Sequence, residues 1–313
     1  MFNTKICDIF EIEYPIILGG MVWICGNELA AAVSEAGGLG TLAGGSMMPD
    51  ELRQEISIVK EKTKKPFCIN IPLLRPDAEE LIDISIDGGA SVIATSAGNP
   101  KRFTQKIKDA GLKVIHVSPN VPLAMKGAGA GVDALVAEGV EAGGHNGFDE
   151  ITTMALVPQV VDKVDIPVIA AGGIADSRGF VAAMALGAEG VQMGTRFVAT
   201  FEAKAHKNFK DAILNATDIS TIITARTLGP TRCIKNALSE RILEAEKGGV
   251  TTEELLEMIG EGRSRKAAID GDCDEGTVYS GQIGGLITEI KSSEEVIKNI
   301  IEGAKALVKT LAK

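Results

Sequence analysis

Short apolar segments rich in valine and isoleucine recur along the first two-thirds of the chain, at intervals of about 20 to 25 residues. Each segment is continuously apolar instead of alternating, which is typical of strands in a parallel sheet covered on both faces. Eight strands are therefore predicted, at residues 14–18, 39–43, 66–71, 91–95, 113–117, 134–137, 167–171 and 190–193.

The segments between these strands carry helical periodicity and helix-start signals. Pro49-Asp50-Glu51 and Asp176-Ser177, for example, each precede apolar residues at helical spacing. Eight strand–helix units in succession is the number at which a parallel sheet closes into a barrel. We therefore predict an α/β fold, a (β/α)8 TIM barrel, over residues 1–215.

The fifth helix of this barrel is predicted to be short and to give way to a loop. Gly127, Gly129 and Gly131 fall within it, and each glycine costs a helix roughly 1 kcal/mol relative to alanine. The glycines do not favour a nucleotide-binding loop, because Val132 stands where the last glycine of Gly-x-Gly-x-x-Gly is required.

Residues 216–313 are predicted to form a small helical lid subdomain on the barrel. Residues 221–235 look extended and basic, and a segment at 278–290 is expected to return to the barrel. Helical patterns follow the extended segment at residues 236–247, 251–259 and 293–311.

Composition narrows the classes of protein that the chain can be. It has 313 residues, of which 45% are hydrophobic and 24% charged, as in globular domains. The net charge of −10 argues against nucleic acid or an anionic membrane as the main partner.

Neither a signal peptide nor an apolar run of about 18 residues is apparent, so a cytoplasmic location is expected. Five widely spaced cysteines without a Cys-x-x-Cys pair predict neither disulfides nor a metal site.

Glycines follow the last two predicted strands of the barrel. Gly172 and Gly173 come after the seventh, and Gly194 and Thr195 come after the eighth. In this fold ligands bind at the carboxyl ends of the strands, and phosphates favour these two turns. The backbone N–H groups and the Thr195 hydroxyl are thus predicted to bind a phosphomonoester. The alternative is that the glycines merely end the strands.

Other strand ends are small or amidic. Gly19 and Gly20 follow the first strand, and Asn70 lies in the third. The amide of Asn70 offers both a donor and an acceptor to a flat ring, although an asparagine here could equally be a satisfied polar group of the barrel.

His145 is the candidate for proton transfer. It lies after the sixth strand among Gly143, Gly144 and Gly147, and an imidazole titrates near neutral pH. The alternative is a loop histidine that caps a turn. Of the other two histidines, His116 is predicted to be packed and His206 to be solvated.

Five of these segments together resemble the nitronate monooxygenase superfamily and, within it, the flavin-dependent enoyl-acyl-carrier-protein reductases of type II. The resemblance spans nearly the whole chain, and residues 234–236, 271–274 and 280–286 favour the reductases. The segments that carry it are Gly19-Gly20-Met21, Asn70-Ile71, Glu138 to His145, Ala170 to Ala175, and Gln192 to Phe197.

The resemblance implies FMN as the bound cofactor, with its phosphate on Gly172, Gly173, Gly194 and Thr195, and His145 acting on the substrate. It also implies that the flavin is lined by Gly19, Gly20, Met21, Asn70, Glu138, Gly143, Gln192 and Met193.

The implied reaction is hydride transfer from NADH or NADPH to the flavin, and from the flavin to the β-carbon of a trans-2-enoyl thioester of acyl-carrier protein or coenzyme A. His145 would protonate the α-carbon or polarise the carbonyl, and a homodimer is implied. Gly229-Pro230-Thr231-Arg232 departs from the reductase pattern. A nitronate monooxygenase, in which reduced flavin reacts with oxygen, therefore stays an alternative.

An acidic acyl-carrier protein would be repelled by a net charge of −10, so docking would need a local basic patch. The residues available are Lys204, Lys207, Lys210, Arg226, Arg232 and Lys235, which are otherwise ordinary solvated charges.

A non-catalytic flavin-binding barrel is a further alternative. A phosphoribosyl-nucleotide dehydrogenase is disfavoured, because no cysteine lies between Cys68 and Cys233 to act as its nucleophile.

Overall fold

The computed structural model describes residues 2–313 and contains alternating strands and helices along most of its length. The strands are β1 (Ile16–Leu18), β2 (Gly40–Ala43), β3 (Phe67–Pro72), β4 (Val92–Ser96), β5 (Lys113–Ser118), β6 (Ala134–Glu138), β7 (Gly144–His145), β8 (Val168–Ala171), β9 (Gly190–Met193), β10 (Thr221–Thr224) and β11 (Thr231–Ile234). The helices are α1 (Lys5–Phe10), α2 (Asn27–Glu35), α3 (Pro49–Lys62), α4 (Ala78–Asp87), α5 (Thr104–Asp109), α6 (Val121–Gly129), α7 (Thr153–Val161), α8 (Ser177–Ala185), α9 (Thr195–Val198), α10 (Lys207–Leu214), α11 (Ala237–Lys247), α12 (Thr252–Ile259), α13 (Arg263–Ala268) and α14 (Ser293–Leu311).

Eight parallel strands form the predicted barrel. Their order around the sheet is β1-β9-β8-β6-β5-β4-β3-β2. β1 meets β2 through two backbone hydrogen bonds, from Leu18 N–H to Leu39 O at 3.0 Å and from Leu39 N–H to Ile16 O at 2.9 Å. The TIM-barrel prediction is confirmed, and every predicted barrel strand agrees with the observed one to within two residues.

Apolar side chains fill the interior of the barrel at its amino end. Inward-facing residues of the strands, such as Ile17 and Ile115, form an inner cluster, and Ile6 and Phe10 of α1 pack beneath it. A second, larger core lies between the strands and the surrounding helices. Because the amino end is packed with side chains, the open end of the barrel is the carboxyl end, where ligands bind in this fold.

The fifth barrel helix is longer than its glycines predict, because α6 continues through Gly127 and ends at Gly129. A Cβ atom at position 127 would lie 2.7 Å from Leu135 Cδ2 and 3.3 Å from His116 Cδ2. Glycine is therefore required there for the helix to approach the sheet, and this packing offsets its low helix propensity.

The last hundred residues contact the barrel in two ways. β10 and β11 form a hairpin whose second strand pairs with β7, and α11 and α12 enclose a small core of Leu238, Ile242 and Leu255. α14 instead packs on α2 and α8 of the barrel. The grouping of residues 216–313 into one lid subdomain stays a prediction. None of the helices between residues 2 and 313 has the length and apolar character needed to cross a bilayer.

His116 lies packed between the sheet and α6, and its burial predicts a pH-dependent stability. It is 4% exposed, and its Nδ1 lies 2.8 Å from Thr95 Oγ1. Burial lowers the pKa of His116 from 6.5 to about 4. Between pH 6.5 and pH 4, the unfolded chain binds a proton at His116 that the folded chain does not bind. The contribution of His116 to the free energy of unfolding is therefore complete above pH 6.5 and decreases as the pH falls toward 4.

We expect this one histidine to remove about 3 kcal/mol of unfolding free energy between pH 7 and pH 4. Urea unfolding at both pH values measures the loss in the wild type and in His116→Asn, which should lack that part of it. His206→Gln, at an exposed histidine, is the control and should behave as the wild type does. An equal loss in the wild type and in His116→Asn would contradict the assignment.

Candidate active site

Three polar side chains point from the barrel strands into the open end, which we call the mouth. They are Asn70 of β3, Glu138 of β6 and Gln192 of β9, and each is partly exposed. Side chains alternate between the two faces of a strand. The residues that precede them, Ile69, Ala137 and Val191, all belong to the outer core. Asn70, Glu138 and Gln192 therefore face the interior, and they come from strands that are well separated around the barrel.

The predicted residues after β1 lie against those of β3 and β9. A Cβ atom on Gly20 would lie 2.5 Å from Asn70 Cβ, so glycine is required for this contact. Gly19 N–H donates to Met193 O at 2.9 Å, and Met21 lies against Gly194. The side chain of Met193 itself is 2% exposed in the outer core, so this residue can face a ligand only through its backbone.

The glycine turns after β8 and β9 lie side by side, because Ala171 is in register with Gln192 on the neighbouring strand. Gly172 and Gly173 both have positive φ, 91° and 71°. Within residues 2–313, the backbone N–H groups of Gly172, Gly173, Gly194 and Thr195 donate to no protein acceptor. A cluster of free backbone amides is an anion-binding arrangement.

The two glycines after β8 are required for different reasons. A Cβ atom on Gly172 would lie 2.8 Å from Gly139 O and 3.0 Å from Thr153 Oγ1, so the protein itself excludes a side chain there. A Cβ atom on Gly173 would lie 3.5 Å from Glu141 Cβ, which is an ordinary contact. The protein packing therefore leaves room for a side chain at position 173, and a ligand could use that room.

The Thr195 hydroxyl has a protein partner that the sequence did not indicate. Its oxygen accepts the N–H of Gly281 at 3.0 Å, and this ties the segment that returns from the tail to the phosphate turn. The Thr195 hydroxyl proton remains available to a ligand. Gly143 touches the same segment, since a Cβ atom there would lie 2.6 Å from Gly281 N.

Glu141 holds the loop after β6 in place, and sequence reasoning missed it. Its carboxylate accepts the Thr153 N–H at 2.9 Å and the Thr153 hydroxyl at 2.9 Å, at the start of α7. Its backbone carbonyl accepts the N–H of Gln282 at 3.0 Å. Glu141 therefore fixes the segment between Glu138 and His145 against both α7 and the returning segment.

Glu138 differs from Glu141 in having no such partners. No hydrogen bond joins its carboxyl to any of residues 2–313, and burial raises the pKa of Glu138 to about 7. Near neutral pH its carboxyl is therefore available in the protonated form, in which it can donate a hydrogen bond as well as accept one.

His145 is held at the mouth by a strand pairing. Its two-residue strand β7 is antiparallel to β11, with Thr231 opposite His145, and Asn146 N–H donates to Pro230 O at 2.7 Å. The ring remains exposed, and the Tyr279 ring lies beside it with a centroid distance of 5.9 Å. Surrounding protein lowers the pKa of His145 below 6.5, so the imidazole is mostly neutral at pH 7.

The predicted basic patch is largely neutralised or buried. Arg232 is 6% exposed and donates to Val140 O at 2.8 Å, so it supports the loop after β6 and cannot meet a partner. Arg226 pairs with Glu150, and Lys207 pairs with Asp211. Lys210 donates to Thr200 O. Lys204 and Lys235 are therefore the exposed lysines of the predicted set that have no acidic partner among residues 2–313.

The chain is similar over nearly its whole length to proteins of one family. The family model of nitronate monooxygenase matches residues 3–84 and 79–303. A probable nitronate monooxygenase of Staphylococcus saprophyticus is 32% identical, and the match covers 98% of this chain and 99% of that one.

Two further matches carry other names. FabK from Thermotoga maritima is 44% identical, with a TM-score of 0.96 and coverage of 100% of this chain and 99% of that one. The (3aS,4S,5R,7aS)-5-hydroxy-7a-methyl-1-oxo-octahydro-1H-indene-4-carboxyl-CoA dehydrogenase of Mycobacterium tuberculosis is 32% identical, over 96% of this chain and 95% of that one. The predicted resemblance is confirmed: the chain is an oxidoreductase that belongs to the nitronate monooxygenase family and, within it, is similar to FabK.

Proposed function

We propose that this protein reduces the carbon–carbon double bond of trans-2-enoyl thioesters, with FMN as its bound cofactor and NADH or NADPH as the reductant. The full-length similarity to FabK is the observation that carries the proposal, because it agrees with the resemblance to the type II reductases. The relative from M. tuberculosis, whose name includes a carboxyl-CoA thioester, supports a thioester substrate.

The residues of the mouth fit FMN. A phosphomonoester dianion would be held by the free N–H groups of Gly172, Gly173, Gly194 and Thr195, and by the Thr195 hydroxyl. Gly19, Gly20, Met21, Gly143 and the backbone of Met193 would line the ring system of the flavin. When bound, FMN would supply the two-electron chemistry that no side chain provides.

The polar side chains of the mouth would orient the ring system. Asn70 Oδ1 accepts from Ser96 Oγ at 3.5 Å, and Asn70 Nδ2 donates to no acceptor among residues 2–313, so it can donate to a ligand. Glu138 can donate or accept, since burial brings its pKa to about 7. Gln192 offers an amide from β9.

His145 would transfer the proton of the reaction. It lies on the loop after β6, paired with β11, and its exposed ring would be open to an incoming substrate. In its protonated form it can give a proton to the α-carbon of the thioester, and the pair with β11 fixes its position.

The proposal extends to the partners of the protein. The substrate would be an enoyl-acyl-carrier protein or enoyl-CoA, in the cytoplasm, with a homodimer as the working form. Two exposed lysines, Lys204 and Lys235, make weak candidates for docking an acidic carrier, so we favour recognition through the thioester and its pantetheine arm over long-range charge attraction.

Anaerobic absorption spectroscopy of the flavin-loaded protein tests the function. We expect NADH or NADPH to bleach the flavin absorbance and crotonyl-CoA to restore it. The family also contains probable nitronate monooxygenases. Bleaching by propyl nitronate but not by either pyridine nucleotide would therefore contradict the reductase proposal and support an oxygenase.

A further inference from the structure

A row of side chains leads from the loop after β1 to the neighbourhood of His145. It begins at Trp23, whose Nε1–H donates to Ser264 Oγ of α13 at 3.2 Å. The Ser264 hydroxyl also lies near the phenol of Tyr279 on the returning segment, and it lowers the pKa of Tyr279. The Tyr279 ring lies 5.9 Å from the His145 ring, at an angle of 60°. Three separate parts of the chain therefore converge on one tyrosine.

The indole fixes one end of this row. An indole N–H can only donate, so the Ser264 oxygen accepts the bond from Trp23, and this bond holds the Ser264 side chain beside Tyr279. Burial raises the pKa of Tyr279, and Ser264 lowers it by a smaller amount.

Apart from the nearby Ser264, no side chain among residues 2–313 engages the Tyr279 hydroxyl in a hydrogen bond, so its proton is available to a ligand. Burial keeps the phenol protonated at neutral pH. The Tyr279 backbone is anchored by pairing with Cys233 of β11. The next two residues, Ser280 and Gly281, contact Gly143 of the loop after β6 and Thr195 of the turn after β9.

The loop that carries Trp23 is itself held in an uncommon conformation. Trp23 has a φ of 67°, which is rare for a residue other than glycine, and its N–H donates to Ser46 Oγ at 2.9 Å. Non-glycine residues keep such conformations where the surroundings fix them, often at functional sites. Here the surroundings place the indole N–H against helix α13.

We propose that the Tyr279 hydroxyl donates a hydrogen bond to the thioester carbonyl oxygen of the substrate, with Ser264 and Trp23 as the residues that position it. This inference rests on the proposed function. It assigns the two protein roles of the reaction to two side chains, carbonyl polarisation to Tyr279 and proton donation to His145.

In the reduction, a hydride carrying two electrons forms the new C–H bond at the β-carbon. The two π electrons of the carbon–carbon double bond are then shared between the α-carbon and the carbonyl group. Negative charge develops on the carbonyl oxygen, where the Tyr279 hydrogen bond stabilises it. A proton from His145 then completes the C–H bond at the α-carbon, so the thioester gains one hydride and one proton.

The test uses Tyr279→Phe in the flavin-loaded protein, with Tyr14→Phe as the matched control. The chain has two tyrosines, and Tyr14 precedes β1 at the packed, amino end of the barrel. We expect Tyr279→Phe to slow flavin reoxidation by crotonyl-CoA about 100-fold, while bleaching by the pyridine nucleotide stays within about twofold of wild type. Tyr14→Phe should match the wild type in both steps.

A second measurement does not depend on turnover. Crotonyl-CoA labelled with ¹³C at the carbonyl is bound to the oxidised protein, and its carbonyl stretch is followed by infrared difference spectroscopy. We expect a lower stretching frequency in wild type than in Tyr279→Phe, with a smaller change in the same direction for Ser264→Ala. Flavin absorbance and thermal melting of each variant show that it is folded and loaded.

The outcomes separate the two proposals. If wild-type flavin is not reoxidised by crotonyl-CoA, the proposed function fails, and this inference fails with it. If wild type reacts but Tyr279→Phe reoxidises at the same rate with an unchanged carbonyl stretch, the role of Tyr279 alone is overturned.

Discussion

Gly173→Ala is expected to raise the dissociation constant of FMN by about 100-fold or more. The new methyl group would occupy the space in which the phosphate approaches the backbone after β8, and this would break two charge-assisted hydrogen bonds. At roughly 1.5 kcal/mol each, the loss is about 3 kcal/mol, or two powers of ten. Titration of the apoprotein with FMN, followed by flavin fluorescence, measures the change.

The control for this variant is Gly111→Ala. Gly111 has a φ of 83°, close to the 71° of Gly173, and a Cβ atom there would meet nothing within 4 Å. It lies in the turn between α5 and β5, at the end of the barrel away from the mouth. Both substitutions introduce the same backbone strain, of about 1–2 kcal/mol. If FMN binding weakens equally in both variants, the strain is responsible, and the loss of a phosphate contact is not.

His145→Ala is expected to slow reoxidation of the flavin by crotonyl-CoA between about 100-fold and 10,000-fold, the range for loss of a general acid. Retention of FMN and bleaching by the pyridine nucleotide should stay near wild type, because the role proposed for His145 is in proton transfer to the enoyl substrate. Stopped-flow absorbance separates the two half-reactions.

The same residue predicts the pH profile of the wild type. Because surrounding protein lowers the pKa of His145 below 6.5, the protonated form declines tenfold per pH unit above that pKa. The reoxidation rate should therefore fall as the pH rises from 6 to 8, and this dependence should vanish in His145→Ala. His206→Gln, at an exposed histidine, should keep the wild-type profile. A profile that survives in His145→Ala would show that another group donates the proton.

The barrel could be predicted from sequence because its signal is local and repeated. Each strand is a continuous apolar run bounded by glycine, proline or a helix start, and eight such runs fix both the count and the closure. The fifth helix was harder, since three glycines weaken it locally. Its formation depends on the contact between Gly127 and Leu135, which is a tertiary effect that helix propensity does not contain.

The mouth was predictable in part. Residues that directly follow strands, such as Gly173 and Thr195, can be placed at the carboxyl end once the fold is known. Met193 shows the limit, because a one-residue step along β9 turns its side chain into the outer core while Gln192 faces inward. Their roles toward FMN remain predictions.

Contacts made by the tail could not be predicted from the sequence. Arg232 looked like a surface charge in a basic stretch, yet it is buried under the loop after β6, where it donates to Val140 O. The sequence around Tyr279 and Ser264 does not indicate a role for either residue. Their contacts are with His145 and Trp23, which are more than 100 residues away along the chain. The sequence indicated that residues 278–290 return to the barrel, but not that Tyr279 would meet His145.

The most direct test of the account is a crystal structure of the protein with FMN. We predict the phosphate at the backbone N–H groups of Gly173 and Thr195, the ring system between Asn70 and Glu138, and the imidazole of His145 facing the ring from the open side. A mouth filled by protein side chains, or a phosphate bound away from the turns after β8 and β9, would contradict the account.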